Sequence, residues 1–308
     1  MKIIRALVMN RPINLGWRVY SVSLAALLLA ACIFKPTLTM NRPVFRYLLV
    51  IDITQSMNAN DYQQEGFPTD RLGFVKASIR QALEYLPCGS EVGLGLFTTR
   101  NSQVLFEPLE ICEHFPLIAD VLEHIDWRMA WAADSHIARG LFTGLREAAV
   151  RGKDTRLVFF TDGQQFPPES DPPPFDGQPG AMAGIVVGVG GAQAVPIPRL
   201  DKENRPIGFW EYVDLRDYLP PSAIPTDGSR LYLTRLDEAN LNHLATITGL
   251  NYHRLEKPED LTLALLAKDL ASEHRIAVDI RWTLALMALL LLLLTRFNPL
   301  KRKIPFLI

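Results

Sequence analysis

The sequence predicts an α/β domain, a doubly wound and mainly parallel sheet with flanking helices, carried between two apolar segments. Three observations predict it. FRYLLVIDI (45–53), RLVFFTDG (156–163) and AGIVVGVGG (183–191) are continuous apolar runs of strand length, as expected of strands buried on both faces. Amphipathic patterns of helical period separate them, so strands and helices alternate as in crossover-connected sheets. YSVSLAALLLAACIF (20–34) and WTLALMALLLLLLT (282–295) carry no charge, so much of the chain's apolar surplus lies outside the alternating region.

The elements follow in order. Residues 1–19 form a basic flank with Lys2, Arg5, Arg11 and Arg18 and no acid, and 20–34 read as a membrane anchor. LLLAAC ending at Cys32 also fits a lipoprotein signal, and ordinary cleavage is a third outcome. The strand at 45–53 precedes TDRLGFVKASIRQALEYL, a helix that Thr69 or Asp70 can cap. EVGLGLFTT and SQVLFEPLE read as a hairpin turning at Arg100–Asn101; PLIADVLEHI and SHIARGLFTGLREAAVRG read as helices. After the strands at 156–163 and 183–191 come the helix ANLNHLATITGL, the edge strand NYHRL, and a last helix, PEDLTLALLAKDLASE, leading to the second apolar segment. Residues 282–295 read as a transmembrane helix and 296–308, with Arg296, Lys301, Arg302 and Lys303, as a basic cytoplasmic tail. Both basic flanks then stay inside, which places the domain of residues 44–270 in the periplasm of a bacterial inner membrane.

Two stretches break the alternation. QQFPPESDPPPFDGQPG (164–180) is a stiff proline-rich loop, and 192–230 is an ordered insertion, too aromatic for a linker. Phe166, Phe175 and Trp210 are the expected exposed aromatics of a partner surface. With Lys+Arg 32 against Asp+Glu 33, no net field points to nucleic acid. If Phe97 faces Gln103 in the hairpin, the same register sets Cys88 opposite Cys112, which predicts a disulfide; two separate buried thiols are the alternative.

VIDITQS places Asp52, Thr54 and Ser56 at alternate positions where one strand ends, and Asp162 ends another in FFTDG. Beyond the carboxyl ends of neighbouring strands they converge, an oxygen-only set suited to magnesium, calcium or manganese. Taken singly, each acid could serve only as a helix cap or turn residue. These motifs resemble the von Willebrand factor A domains. The resemblance implies that Thr54, Ser56 and Ser135, the last in WAADSHIARGL, hold a divalent cation, magnesium ahead of calcium or manganese, through their hydroxyls. Asp52 and Asp162 would act through bound water, and an acidic side chain of a protein partner would complete the coordination. Asp134 could intrude as a further ligand.

The likeness extends over residues 44–256 to bacterial membrane-anchored A-domain proteins associated with MoxR-type ATPases, through GVGGAQAVPIP and LDEANLNHLATITG. SMNANDY, LPCGSEVGLGLFT and IDWRMAW look most like the L-type accessory proteins of methanol oxidation. That implies help in maturing periplasmic methanol dehydrogenase, including calcium insertion; the alternative is a general envelope role of the aerotolerance kind. Catalysis is not expected. Thr54 stands where a dehalogenase-type phosphatase needs its second acid, and Ser56, His136 and Asp162 lack nucleophile-elbow glycines.

Overall fold

The computed structural model describes residues 16–132, 134–167, 173–221, 225 and 227–296. Lys2, Arg5, Arg11, the tail beyond Arg296 and positions 168–172 of the proline loop lie outside the described residues. The chain divides into two compact units, Pro43–Glu273 and the pair of end segments Met1–Arg42 and His274–Ile308.

The end unit begins with α1 (Trp17–Ala31), which continues as a 3₁₀ turn, Cys32–Phe34, followed by β1 (Thr37–Val44). Trp17–Phe34 is the one described helix long and apolar enough to cross a membrane.

The larger unit runs β2 (Arg46–Asp52), α2 (Arg71–Leu83), β3 (Glu91–Thr98), β4 (Asn101–Glu110), α3 (Ile111–His124), α4 (Ile137–Val150), β5 (Arg156–Thr161) and β6 (Gly184–Val189). The insertion supplies β7 (Val195–Pro196), β8 (Pro198–Leu200) and β9 (Pro206–Phe209), and β10 (Leu233–Thr234) just after it, α5 (Glu238–Thr248), β11 (Asn251–Leu255) and α6 (Pro258–Leu265) complete the unit. The main sheet has the order β11-β6-β5-β2-β3-β4, parallel except for β4. Its period of two divides β2 between two cores. Tyr47, Leu49 and Ile51 pack with α2, α3 and α6, while Leu48 and Val50 pack with α4 and α5. At roughly 1.5–3 kcal/mol for each large apolar side chain buried, the central strands dominate stability. Asp70 caps α2 by accepting from Gly73 N at 2.7 Å.

Three expectations change. The last helix stops at Leu265, and β12 (Ser272–Asp279) follows and pairs with β1 before α7 (Arg281–Arg296), an apolar helix shorter than the continuous run Trp17–Phe34. All but the last residue of β1 is exposed, so TLTMNRPV offered no apolar alternation to read. The hairpin turns at Thr99–Arg100, one residue early, so Leu96 rather than Phe97 faces Gln103. Two bulges then shift the register: Pro108 has no N–H for the ladder, and a Cβ at Gly93 opposite would lie 3.0 Å from Phe106 O. The Cys88–Cys112 disulfide still forms, at the surface, with Cα atoms 5.3 Å apart and Cys112 in the first turn of α3.

Candidate metal centre

β2 and β5 are neighbours in the sheet, and from β2 the chain builds outward through β3 and β4 before returning to β5. The crevice at their carboxyl ends is therefore the switch point of the sheet. Asp52 and Asp162 both lie there, fully buried. Each uses one oxygen to shape its own turn. Asp52 Oδ1 accepts from Thr54 N at 2.9 Å and Thr54 Oγ1 at 2.7 Å, and Asp162 Oδ1 accepts from Gln164 N at 3.0 Å. The turn after Asp162 needs glycine: Gly163 has φ +77, and an added Cβ would meet Leu241 at 2.6 Å.

The hydroxyls converge above the acids. Thr54 Oγ1 lies 3.4 Å from Ser56 Oγ, and Thr54, Ser56 and Ser135 line one cavity of about 50 Å³. Ser135 arrives on the loop before α4, held by backbone bonds between Ser135 and Phe166 in both directions and from His136 N to Thr99 O. Its hydroxyl is buried and has no hydrogen-bond partner among the described residues. Such an atom marks a site made for something else to complete. The oxygen-only donors and the unpartnered hydroxyl fit a hard divalent cation. Asp134 is engaged elsewhere: its carboxylate lies 3.5 Å from Arg100 Nε and 3.4 Å from His136 Nε2.

Two partners of the acids escaped the sequence reading. Arg71, at the first turn of α2, is fully buried; its Nη1 donates to Asp162 Oδ2 at 2.9 Å, and its Nε and Nη2 donate to Asp61 at 2.7–3.1 Å. Thr234, in β10 just after the insertion, accepts from Arg71 Nη1 at 2.9 Å and donates to Asp162 Oδ2 at 3.1 Å. Burial works against the Arg71 charge, yet Asp162 and Asp61 outweigh it and raise its pKa. Nothing in a helical pattern with a charged first turn signals that burial.

The expected aromatic rim is not exposed. Phe166 is buried with Leu215 and Leu219 in a small core of the insertion, against which Trp210 packs half-buried. Phe175 packs on Phe142 of α4, ring centroids 5.0 Å apart. Tertiary packing invisible to a local pattern, with the insertion for Phe166 and Trp210 and with α4 for Phe175, covers all three.

Burial first, and then the charge of Asp162, push the Asp52 pKa up to about 7, against hydrogen bonds from Thr161 and Thr54. A raised carboxyl favours the folded state only while protonated. Below about pH 4 both folded and unfolded forms hold the proton. Between there and about pH 7 the folded chain keeps it and the unfolded chain does not, so this group's contribution declines by up to about 1.4 kcal/mol per unit as pH rises. Denaturation of the full chain with chelator should therefore show stability falling from pH 5 to 7, with Asp52→Asn removing that slope. An unchanged slope in Asp52→Asn would refute the assignment.

Residues 47–165 match the family model of the von Willebrand factor type A domain. The fold is of the von Willebrand factor A type. The match ends before the insertion. Among solved structures, the A-type fold here resembles the conserved hypothetical protein BatB from Bacteroides thetaiotaomicron, at 17% identity over 73% of this chain and 96% of that one, with a TM-score of 0.51. An aerotolerance-related membrane protein from Bacteroides fragilis NCTC 9343, with multiple mutations to serines, gives 18% identity over 72% and 96%, with a TM-score of 0.49. No curated protein sequence matches the chain.

Proposed function

We propose that this chain is a membrane-tethered envelope module that binds a protein partner through a divalent cation, without catalysis of its own. One observation carries the reading: residues bearing hydroxyls from separate loops line one cavity over two buried carboxylates, Ser135 Oγ being buried with no hydrogen-bond partner among the described residues. Thr54, Ser56 and Ser135 would hold the cation directly, with Asp52 and Asp162 supporting it through water. Because the direct donors are neutral, the bound cation, magnesium by preference and calcium or manganese otherwise, keeps positive charge that an acidic side chain of the partner can satisfy. Thr161 and Thr54 hold Asp52 in place, and Arg71 and Thr234 hold Asp162.

The apolar helix Trp17–Phe34 supports a membrane anchor. The basic flanks on both apolar segments support two spans with the A domain in the periplasm of an inner membrane. The fold likeness to BatB favours a general envelope role. A narrower reading makes the partner methanol dehydrogenase, with calcium inserted during its maturation, and rests on the segments SMNANDY, LPCGSEVGLGLFT and IDWRMAW.

The test uses the full chain in detergent micelles. Calorimetric titration with magnesium should show one saturable site, weakened at least roughly tenfold by Asp52→Ala or Ser56→Ala, since each removes a charged or direct oxygen donor. Capture of a partner from periplasmic extract should fail with chelator. Capture that survives chelator and both substitutions would sink the cation bridge, and the identity of the captured protein separates the two roles.

A further inference from the structure

The insertion joins the sheet through a narrow neck. β7 and β10 pair antiparallel there, Val195 with Thr234 and Pro196 with Leu233, just beyond the turn Gly190–Gly191 that follows β6. Leu236 N closes the neck on Gly191 O at 2.9 Å, and Asp237 N ties it to Asp162 O at 2.8 Å. Beyond the neck, Ile197, Trp210 and Leu215 line the same cavity as Thr54, Ser56 and Ser135, so whatever holds the neck also sets the insertion over the site. One buried side chain holds it. Arg71 Nη1 has two hydrogens and three acceptors: Asp162 Oδ2 and Thr234 Oγ1, each at 2.9 Å, and Ser56 O at 3.4 Å. Its Nε and Nη2 face Asp61, whose Oδ2 also accepts from Gly191 N at 2.8 Å. Gly190 lies against the guanidinium: its φ is +110, and an added Cβ would lie 2.6 Å from Arg71 Nε. A single guanidinium, closed to solvent, thus touches both strand-end loops of the site and both sides of the neck.

Helix formation does not require these contacts, since Asp70 already caps α2. Their effect is to make two interactions depend on one charge. Arg71 is balanced by Asp61 on the side of the neck and by Asp162 on the side of the site, and Nη1 is shared among more acceptors than it can fully satisfy. An Asp162 carboxylate that gives part of its charge to a cation attracts Arg71 and Thr234 less. We propose that Arg71 couples the cation site to the insertion: when Asp162 shares its charge, the Asp162–Arg71–Thr234 contacts slacken and the neck is released. This rests on the cation reading of Thr54, Ser56 and Ser135 and adds regulation to it. The insertion then lies over the hydroxyls in the empty chain and loosens once the site is loaded, so a partner gains access only to the loaded form. Linkage makes the effect reciprocal: anything that displaces the insertion tightens cation binding.

Hydrogen exchange of the full chain in detergent micelles, read by mass spectrometry, tests this with magnesium as the only probe. Against chelator, saturating magnesium should slow exchange at residues 54–58, beside the donors. It should speed exchange in fragments carrying the Gly191, Leu236 and Asp237 amides by about fivefold, the lower end of coupling between sites. Arg71→Lys keeps the charge but not the fork that spans Asp61 and Asp162, so the neck should exchange fast with or without magnesium while residues 54–58 still respond. An arginine with a merely structural role would leave the magnesium response of the neck in place, on a faster baseline. Where Arg71→Lys does not fold, Asp61→Asn serves instead: it keeps an acceptor for Gly191 N, removes the balancing charge, and should likewise abolish the neck response. A neck that magnesium slows or leaves unchanged, with residues 54–58 protected, overturns the inference and leaves the cation reading standing. A neck response that persists in the variants overturns the role of Arg71. No response at residues 54–58 overturns both readings.

Discussion

Arg71→Ala is expected to destabilise the protein by about 3–5 kcal/mol, the range for removing one member of a buried ion pair. Two carboxylates lose their counter-charge at once. Asp61 forfeits bonds of 2.7–3.1 Å from Nε and Nη2, and Asp162, whose side chain is fully buried, forfeits the 2.9 Å bond from Nη1. Asp162 then faces Asp52 without the guanidinium, and the like charges repel. For a unit of this size, about 2–4 °C per kcal/mol converts the loss into a drop in melting temperature of roughly 6–20 °C. Arg71→Lys should fall between, because an ammonium keeps the charge but cannot reproduce the fork that spans both acids. Magnesium should recover more stability in Arg71→Ala than in the parent chain, since the uncompensated carboxylates attract a cation more strongly. A melting temperature unchanged by Arg71→Ala in chelator would refute this account of the buried charge cluster.

The same residue shows where sequence stops being informative. Strands such as RLVFFT are legible because burial on both faces leaves a continuous apolar run, and Asp52 and Asp162 because a strand end followed by turn chemistry is a local pattern. Arg71 is not legible, because its burial depends on Asp61 ten residues before it and Asp162 ninety-one after. In the sequence it looks like any charge in the first turn of an amphipathic helix. Trp210 and Phe166 fail in the opposite sense. Aromatics in loops read as exposed, and only the folding of the insertion over the switch point covers them. The site was therefore readable where strand geometry sets it and unreadable where distant segments close over it.

Removing the disulfide should separate stability from the site. Cys88 and Cys112 are 24 residues apart and join the segment before β3 to the first turn of α3, at the end of the sheet opposite the carboxyl ends of β2 and β5. The loop-entropy relation for about 25 closed residues gives about 3.5 kcal/mol at 25 °C. Part of the native geometry survives without the bond. Gly89 N donates to Glu110 Oε1 at 2.6 Å, Ile111 N to Ser90 O at 2.9 Å, and Phe45 N to Ser90 Oγ at 3.1 Å, so the hairpin base stays pinned in the folded state. The gain thus lies mainly in the unfolded ensemble, and its loss should lower the melting temperature by roughly 7–14 °C. Cys88→Ser with Cys112→Ser, or reduction of the parent chain, should produce this drop while magnesium affinity at 25 °C stays within about twofold, because none of the cation donors touches the bond. Arg71→Ala, by contrast, should change both stability and affinity. A double serine variant that melts normally would show that the hairpin base alone closes the loop; one that melts low and also loses magnesium would show that the two ends of the sheet are coupled.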